Sequence, residues 1–169
     1  MTGKTETEPK NRFMRAKTLH ELLYVAIEDF QKSLKNPRFK VDMGDWLTKP
    51  SLDSSEDGRI CYGCLAGACL VAEDFDINTF FHEDIFDDRT LRIELNLLER
   101  CYPGITDRMY AIDCLRTGRV GAAYCYFYNA EDSSYGNRTV SRYGEGGENK
   151  AKFLHDLIQL HKFLEKEGI

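Results

Sequence analysis

Two closely spaced cysteines are the residues of this sequence most suggestive of chemistry. Cys61 and Cys64 form a C-x-x-C pair at the start of the stretch CYGCLAGACLVA, residues 61–72. Such a pair supplies two of the four ligands of a structural zinc site, or forms a thioredoxin-like redox centre at the start of a helix that follows a strand. The sequence has no second C-x-x-C or H-x-x-x-H to complete a zinc site, and no alternation of strands and helices around the pair. We therefore interpret both cysteines as small apolar packing residues, expect no cofactor, and keep a metal-binding or redox role for Cys61 and Cys64 as the alternative.

A second feature is the acidic and aromatic segment at 73–88, EDFDINTFFHEDIFDD, with seven carboxylates, four phenylalanines and no lysine or arginine. Its start imitates a calcium-binding EF-hand loop, but Thr79 and Ile85 replace the required glycine and glutamate, which excludes calcium binding of that kind. The segment is either a solvated connection whose phenylalanines enter the core, or a surface that docks on a basic partner. In the second interpretation the partner-binding residues are Asp74, Asp76, Phe80, Phe81, Glu83, Asp84, Phe86, Asp87 and Asp88.

The stretch at 130–149, AEDSSYGNRTVSRYGEGGEN, is polar and rich in glycine, and predicts a long loop. Its glycines precede a helix, as in phosphate-binding loops. However, the pattern G-x-x-x-x-G-K-[ST] is absent, and Glu145 and Glu148 would repel phosphate. The loop instead provides a second set of candidate contact residues, which are Tyr135, Arg138, Arg142 and Tyr143.

Hydrophobic periodicity predicts the helices that position these segments. The stretch TLHELLYVAIEDFQKSLK has an apolar stripe and a capping box at Thr18 and Glu21, and predicts a helix over 18–35. The segment at 60–75 is apolar nearly all round, which predicts a buried central helix whose small residues allow close packing or self-association. Further helices are expected at 90–101, at 107–117 with Thr106 as the cap, and at 150–166. Extended structure is expected at 39–47, with Trp46 turned inward, whereas helix is preferred over strand for 122–128.

Composition limits the classes of protein that this chain can represent. Its 169 residues suit one domain with its own core, and no apolar run is long enough for a membrane span. The polar N-terminus lacks the apolar region of a secretory signal, so we expect a cytoplasmic protein whose six cysteines are reduced. A net charge of -5 and a pI near 5.4 disfavour nucleic acid as a partner and favour a protein with a basic surface.

The order DMGDW, CYGCLAGACLVA and AIDCLRTG, within residues 41–118, resembles a pattern in small helical proteins of phages and bacteria. In that pattern a tryptophan segment precedes a C-x-x-C-L-A-G-A helix and a later L-R-x-G turn. The resemblance implies an intracellular, phage-encoded protein of the kind that binds and blocks a host component. It implies no activity and assigns no role to any residue.

The sequence thus predicts a mainly α protein in which about five helices surround a buried central helix, with at most a small β element. We expect a disordered tail at 1–14 and a single helical domain at 15–169. The function that we expect is that of a non-enzymatic protein-binding module, an inhibitor of a host or defence protein that acts through its acidic and aromatic surface.

Overall fold

The computed structural model describes residues 11–47, 61–73, 95, 96, 98–131 and 149–169. In this part of the chain the fold is mainly α-helical, with one pair of short parallel strands, so the predicted fold class is confirmed. The elements in chain order are α1 (Arg12–Arg15), α2 (Leu19–Ser33), β1 (Phe39–Val41), β2 (Cys61–Gly63), α3 (Leu65–Ala72), α4 (Ile105–Arg116), α5 (Val120–Tyr128) and α6 (Lys150–Glu167). Residues 95, 96 and 98–101 are also helical.

The first described residues belong to the folded core. Helix α1 has only four residues, yet Asn11 Oδ1 accepts a hydrogen bond from Met14 N at 2.8 Å and so caps the helix. Phe13 is fully buried. The prediction of a disordered tail that extends to residue 14 is therefore wrong for residues 11–14, and residues 1–10 lie outside the described part.

Helix α2 confirms the strongest helix prediction and is the element around which the others pack. Thr18 Oγ1 accepts a hydrogen bond from Glu21 N, as the capping box predicts, whereas Glu21 Oε2 accepts from Lys17 N. The apolar stripe of α2 is buried, and the helix contacts α1, α3, α4, α5 and α6. Phe30 packs edge to face on Phe153 of α6, with ring centroids 5.5 Å apart. The centre of the fold is therefore shared by α2 and α3, and is not formed by the 60–75 segment alone.

Residues 61–63 form a strand and not the first turn of the predicted helix at 60–75. Strand β2 pairs in parallel with β1, in the register that sets Phe39 opposite Cys61. The prediction of helix is wrong here because the backbone of these residues finds hydrogen-bond partners more than 20 residues earlier in the chain, which local periodicity does not reveal. The remainder, α3, is a buried helix as predicted.

Small residues around α3 make room for the segment 42–47 of the same chain. This segment folds back over β2, where Cys64 N donates to Asp45 O at 2.8 Å. A Cβ at Gly67 would lie 1.8 Å from Trp46 O, and one at Gly63 would lie 2.7 Å from the same atom. The close approach that the sequence suggested is therefore made within the chain, and this face of α3 is not free for self-association.

Helix α4 begins one residue before its predicted cap. Gly104, with φ of 86°, is the N-cap residue, and the carboxylate of Glu99 provides the acceptors that the first turn needs. Glu99 Oε1 accepts from Gly104 N at 2.6 Å, and Glu99 Oε2 accepts from both the amide and the hydroxyl of Thr106. Thr106 therefore donates its hydroxyl hydrogen and does not act as the cap, so that prediction is wrong.

The remaining helices follow the sequence closely. Helix α6 matches the prediction at 150–166, and α5 confirms the preference for helix over strand at 122–128. The predicted helix at 90–101 is confirmed for the residues of it that the structure describes. None of the described helices combines the length and the apolar character that a membrane crossing needs.

Candidate functional site

The two contact surfaces predicted from the sequence lie outside the residues that the structure describes. This holds for the acidic and aromatic set Asp74, Asp76, Phe80, Phe81, Glu83, Asp84, Phe86, Asp87 and Asp88, and for the loop set Tyr135, Arg138, Arg142 and Tyr143. Both sets stay predictions. Residues of the described helices and of the segment 42–47 form further candidate sites.

Cys64 is placed for packing and not for thiolate chemistry. It is fully buried at the start of α3. Burial raises the pKa of its thiol, against weaker opposing effects from Arg116 and from the amides of Gly67 and Ala66. A thioredoxin-like centre needs a lowered pKa on one cysteine of the pair, and Cys64 is not that cysteine. The side chain of Cys61 lies outside the description, and no three His, Cys, Asp or Glu side chains among the described residues are close enough to hold a metal ion.

Three aromatic side chains from separate parts of the chain stack in a row that we call the aromatic ladder: Trp46, Tyr110 and Tyr126. The Trp46 and Tyr110 rings meet edge to face with centroids 4.9 Å apart, and Tyr110 stacks on Tyr126 at 5.1 Å and 19°. Trp46 and Tyr110 are half-buried, whereas Tyr126 is 41% exposed. The inward position predicted for Trp46 is therefore only partly realised, because its ring forms one end of a row that leads to the surface.

Arg116 holds the segment that carries Trp46. Its Nη1 donates to Met43 O at 2.6 Å, while Nε and Nη2 donate to Asp113 Oδ1 at 3.0 and 2.5 Å. The side chains of Arg116 and Asp113 are 18% and 16% exposed. This partly buried ion pair fixes the segment 42–47 against α4, and thereby fixes the Trp46 ring against Tyr110.

A second surface feature is an open groove that we call the basic groove, lined by Met14, Arg15, Ala16, Lys17, Arg108, Phe127 and Tyr128. Its volume is about 670 Å³. The Arg108 guanidinium lies over the Phe127 ring, 5.2 Å from its centroid, and Arg108 Nη2 donates to Ala16 O at 2.9 Å. Burial lowers the pKa of Arg108, which remains a cation at any physiological pH.

A smaller cleft of about 450 Å³ shares Arg15 and Ala16 with the basic groove and is otherwise lined mainly by α2 and α6. His20 and His161 meet there with ring centroids 6.0 Å apart. His20 Nδ1 is 2.7 Å from Ile169 O, and burial lowers the pKa of His161. These contacts account for both rings as structural groups that join the two helices.

Two carboxyl groups meet between α2 and the end of α3. Asp29 is 3% exposed, and its Oδ2 has no donor among the described groups. The neighbouring residue is Glu73, whose Oε2 accepts a hydrogen bond from Arg12 N at 3.0 Å. Glu73 and Asp29 can form a hydrogen bond with each other only when one of the two carboxyl groups is protonated. Burial, and then the hydrogen bond and charge of Glu73, raise the pKa of Asp29 to about 8. The pair therefore holds a proton at neutral pH.

Sequence reasoning missed the ladder, the basic groove and the carboxyl pair. Asp29 could have been found, because it lies within the apolar stripe of α2, three residues after Ala26 and one before Phe30. The run YCYFY at 124–128 also gave a signal, since a helix cannot turn all of its aromatic residues to one side. The groove residues Arg15 and Arg108 had no such signal, because they are brought together by the contact of Arg108 on α4 with Ala16, the residue that follows α1.

Comparison of the chain with models of protein families, with curated proteins and with solved structures finds no match.

Proposed function

We propose that this protein is a non-enzymatic protein-binding module of the cytoplasm, and that it inhibits the protein that it binds. The resemblance to small phage and bacterial proteins implies a host or defence protein as the target, with the present chain encoded by a phage. Because the chain carries a net charge of -5, a partner with a basic surface fits best.

The aromatic ladder is the observation that carries this proposal. Tryptophan and tyrosine are among the side chains most enriched in residues that dominate binding energy, and Trp46 and Tyr126 supply both types in the aromatic ladder. Tyr126 is held by stacking on Tyr110. Its side chain therefore loses little conformational entropy when a partner covers it. An exposed ring held in place in this way suits the centre of an interface.

The test begins with a photo-crosslinking amino acid at position 126, and with the same group at position 24 as the control. Tyr24 is 47% exposed on α2 and lines the cleft at His161, which contains none of the ladder residues. Each full-length variant is incubated with lysate of the host cell, and the crosslinked proteins are identified by mass spectrometry. A partner captured from position 126 and not from position 24 supports the proposal, whereas equal capture from both positions counts against it.

The affinity of the identified partner is then measured by calorimetry. Tyr126→Ala should weaken binding about 30-fold, the loss expected for a dominant contact of about 2 kcal/mol, and Tyr24→Ala should change it less than about 2-fold. The acidic segment is tested separately by charge reversal at Asp84, Asp87 and Asp88, which should slow association with a basic partner. Unchanged affinity for Tyr126→Ala would remove the ladder from the interface, and an unchanged association rate would remove the acidic segment.

A further inference from the structure

We propose that the basic groove is a binding site for a small organic phosphate, with the phosphate held by Arg15, Lys17 and Arg108 and the organic part placed against Phe127 and Tyr128. This site is separate from the aromatic ladder, and the proposal does not depend on the protein-binding function.

The charge of the groove is the first support. Three of its seven lining side chains are cations, and none of the seven is a carboxylate, although the chain as a whole is acidic. Among the described residues, no carboxylate forms an ion pair with Arg15, Lys17 or Arg108. Three cations around one groove repel each other, and a doubly charged anion relieves that repulsion better than a single carboxylate does.

Arg108 is the second support, because its position is fixed while its donors are not all used. Its Nη2 donates to Ala16 O and its Cζ lies over the Phe127 ring, 5.2 Å from the centroid, and these two contacts restrict the guanidinium. Its Nε is buried away from solvent, so a ligand in the groove would meet the outer nitrogens of the guanidinium. An arginine held in place by one hydrogen bond and one ring is well prepared to bind a phosphate oxygen.

The shape and lining of the groove indicate the rest of the ligand. Its volume of about 670 Å³ lies within the range of small-molecule sites and far exceeds what inorganic phosphate would fill. Met14, Phe127 and Tyr128 provide apolar surface beside the three cations, and the Phe127 and Tyr128 rings meet edge to face at 5.0 Å. The ligand should therefore combine a phosphate monoester with an apolar or aromatic body.

The experiment titrates the full chain with phenyl phosphate, inorganic phosphate and benzoate, by calorimetry at fixed ionic strength. Phenyl phosphate should bind at least about 10-fold more tightly than either of the others, because only it offers both the dianion and the ring. Equal or absent binding of the three probes would overturn the proposal. A phosphotyrosine peptide is included, and if it binds about 10-fold more tightly than phenyl phosphate, the site is one for a modified protein and the small-molecule proposal is wrong.

Substitution then locates the site. Arg15→Gln combined with Lys17→Gln removes two exposed cations without touching the contacts of Arg108, and should weaken phenyl phosphate about 10-fold or more. The matched control combines Lys35→Gln with Lys152→Gln, which removes the same charge from exposed positions elsewhere and should change the affinity less than about 2-fold. An equal loss in both double variants would show a response to net charge alone and would refute the assignment to the groove.

Discussion

The Asp29–Glu73 pair makes the stability of the fold depend on pH. Asp29 is buried on α2 beside Glu73, with Arg12 and Lys32 as the nearby cations and the Cys69 thiol as a further neighbour. The pKa of Asp29 is about 8 in the folded protein and has an ordinary value of 3.8 when the chain is unfolded. The folded state therefore binds one more proton than the unfolded state between these two values.

The sign and size of the effect follow from this difference. Because the folded pKa is raised, the contribution of Asp29 to stability is fully present below pH 3.8 and is lost as the pH rises towards 8. One proton corresponds to about 1.4 kcal/mol for each pH unit, so the free energy of unfolding should fall by about 2 to 3 kcal/mol between pH 5 and pH 7 through this group. For a chain of this length, that is a decrease of roughly 5 to 10 °C in Tm.

The variant Asp29→Asn isolates the contribution of Asp29 to the pH dependence of stability. Asparagine has the shape of the protonated acid and can donate to Glu73 at every pH. The variant should therefore not lose this part of its free energy of unfolding as the pH rises. Urea unfolding is followed at pH 5, 6, 7 and 8 by the fluorescence of Trp46, the only tryptophan of the chain. The difference between the variant and the wild type should move in favour of the variant by about 2 to 3 kcal/mol from pH 5 to pH 7.

The control is Asp45→Asn, which removes a carboxylate from an exposed position on the segment 42–47. Using the difference between two proteins cancels the titration of the shared carboxylates that do not interact with Asp29. A pH dependence of Asp29→Asn that parallels the wild type would refute the reasoning, because it would show that Asp29 is ionised in the folded protein at pH 5.

Three further predictions test the packing. Gly67→Ala should destabilise the fold by roughly 2 to 4 kcal/mol in urea unfolding, because its Cβ would meet Trp46 O at 1.8 Å. Helix propensity alone predicts a gain in stability of about 1 kcal/mol, and such a gain would contradict the close packing at Gly67. Glu99→Gln should cost about 1 kcal/mol in the same assay, since it weakens the acceptors that cap α4, and an unchanged midpoint would show that the cap is dispensable. In the native protein at pH 7, iodoacetamide should modify the exposed Cys101 and leave Cys64 intact. Peptide mass spectrometry measures the modification of each cysteine, and equal modification of the two would contradict the burial of Cys64.

The parts of the fold that the sequence predicts are those whose signals are local. Helix α2 has its cap, its apolar stripe and its proline stop within one run of residues, and both of its ends are found to within about two residues. The apolar stripe of α6 likewise predicts its range, 150–166, against Lys150–Glu167 in the structure. The strand at 61–63 could not be predicted in this way, because its partner is β1 and the intervening sequence gives no register.

The candidate site depends still more on long-range packing. Trp46, Tyr110 and Tyr126 belong to three elements, and their stacking is created by the segment 42–47 folding over Gly67 and by the adjacent helices α4 and α5. Sequence patterns along one helix show which residues share a face, but not which faces of different helices meet. Composition did indicate the kind of surface, since tyrosine is frequent in 124–128 and a helix exposes part of any such run.

The most direct test of the protein-binding account is the hydrogen-exchange footprint of the complex with the partner captured from position 126. Exchange is measured on the full chain, free and bound, with the bound sample saturated. The account predicts slower exchange in the segments that carry and support the aromatic ladder, at 43–47, 110–116 and 120–128. Protection confined to other parts of the chain, such as the exposed side of α6, would contradict it.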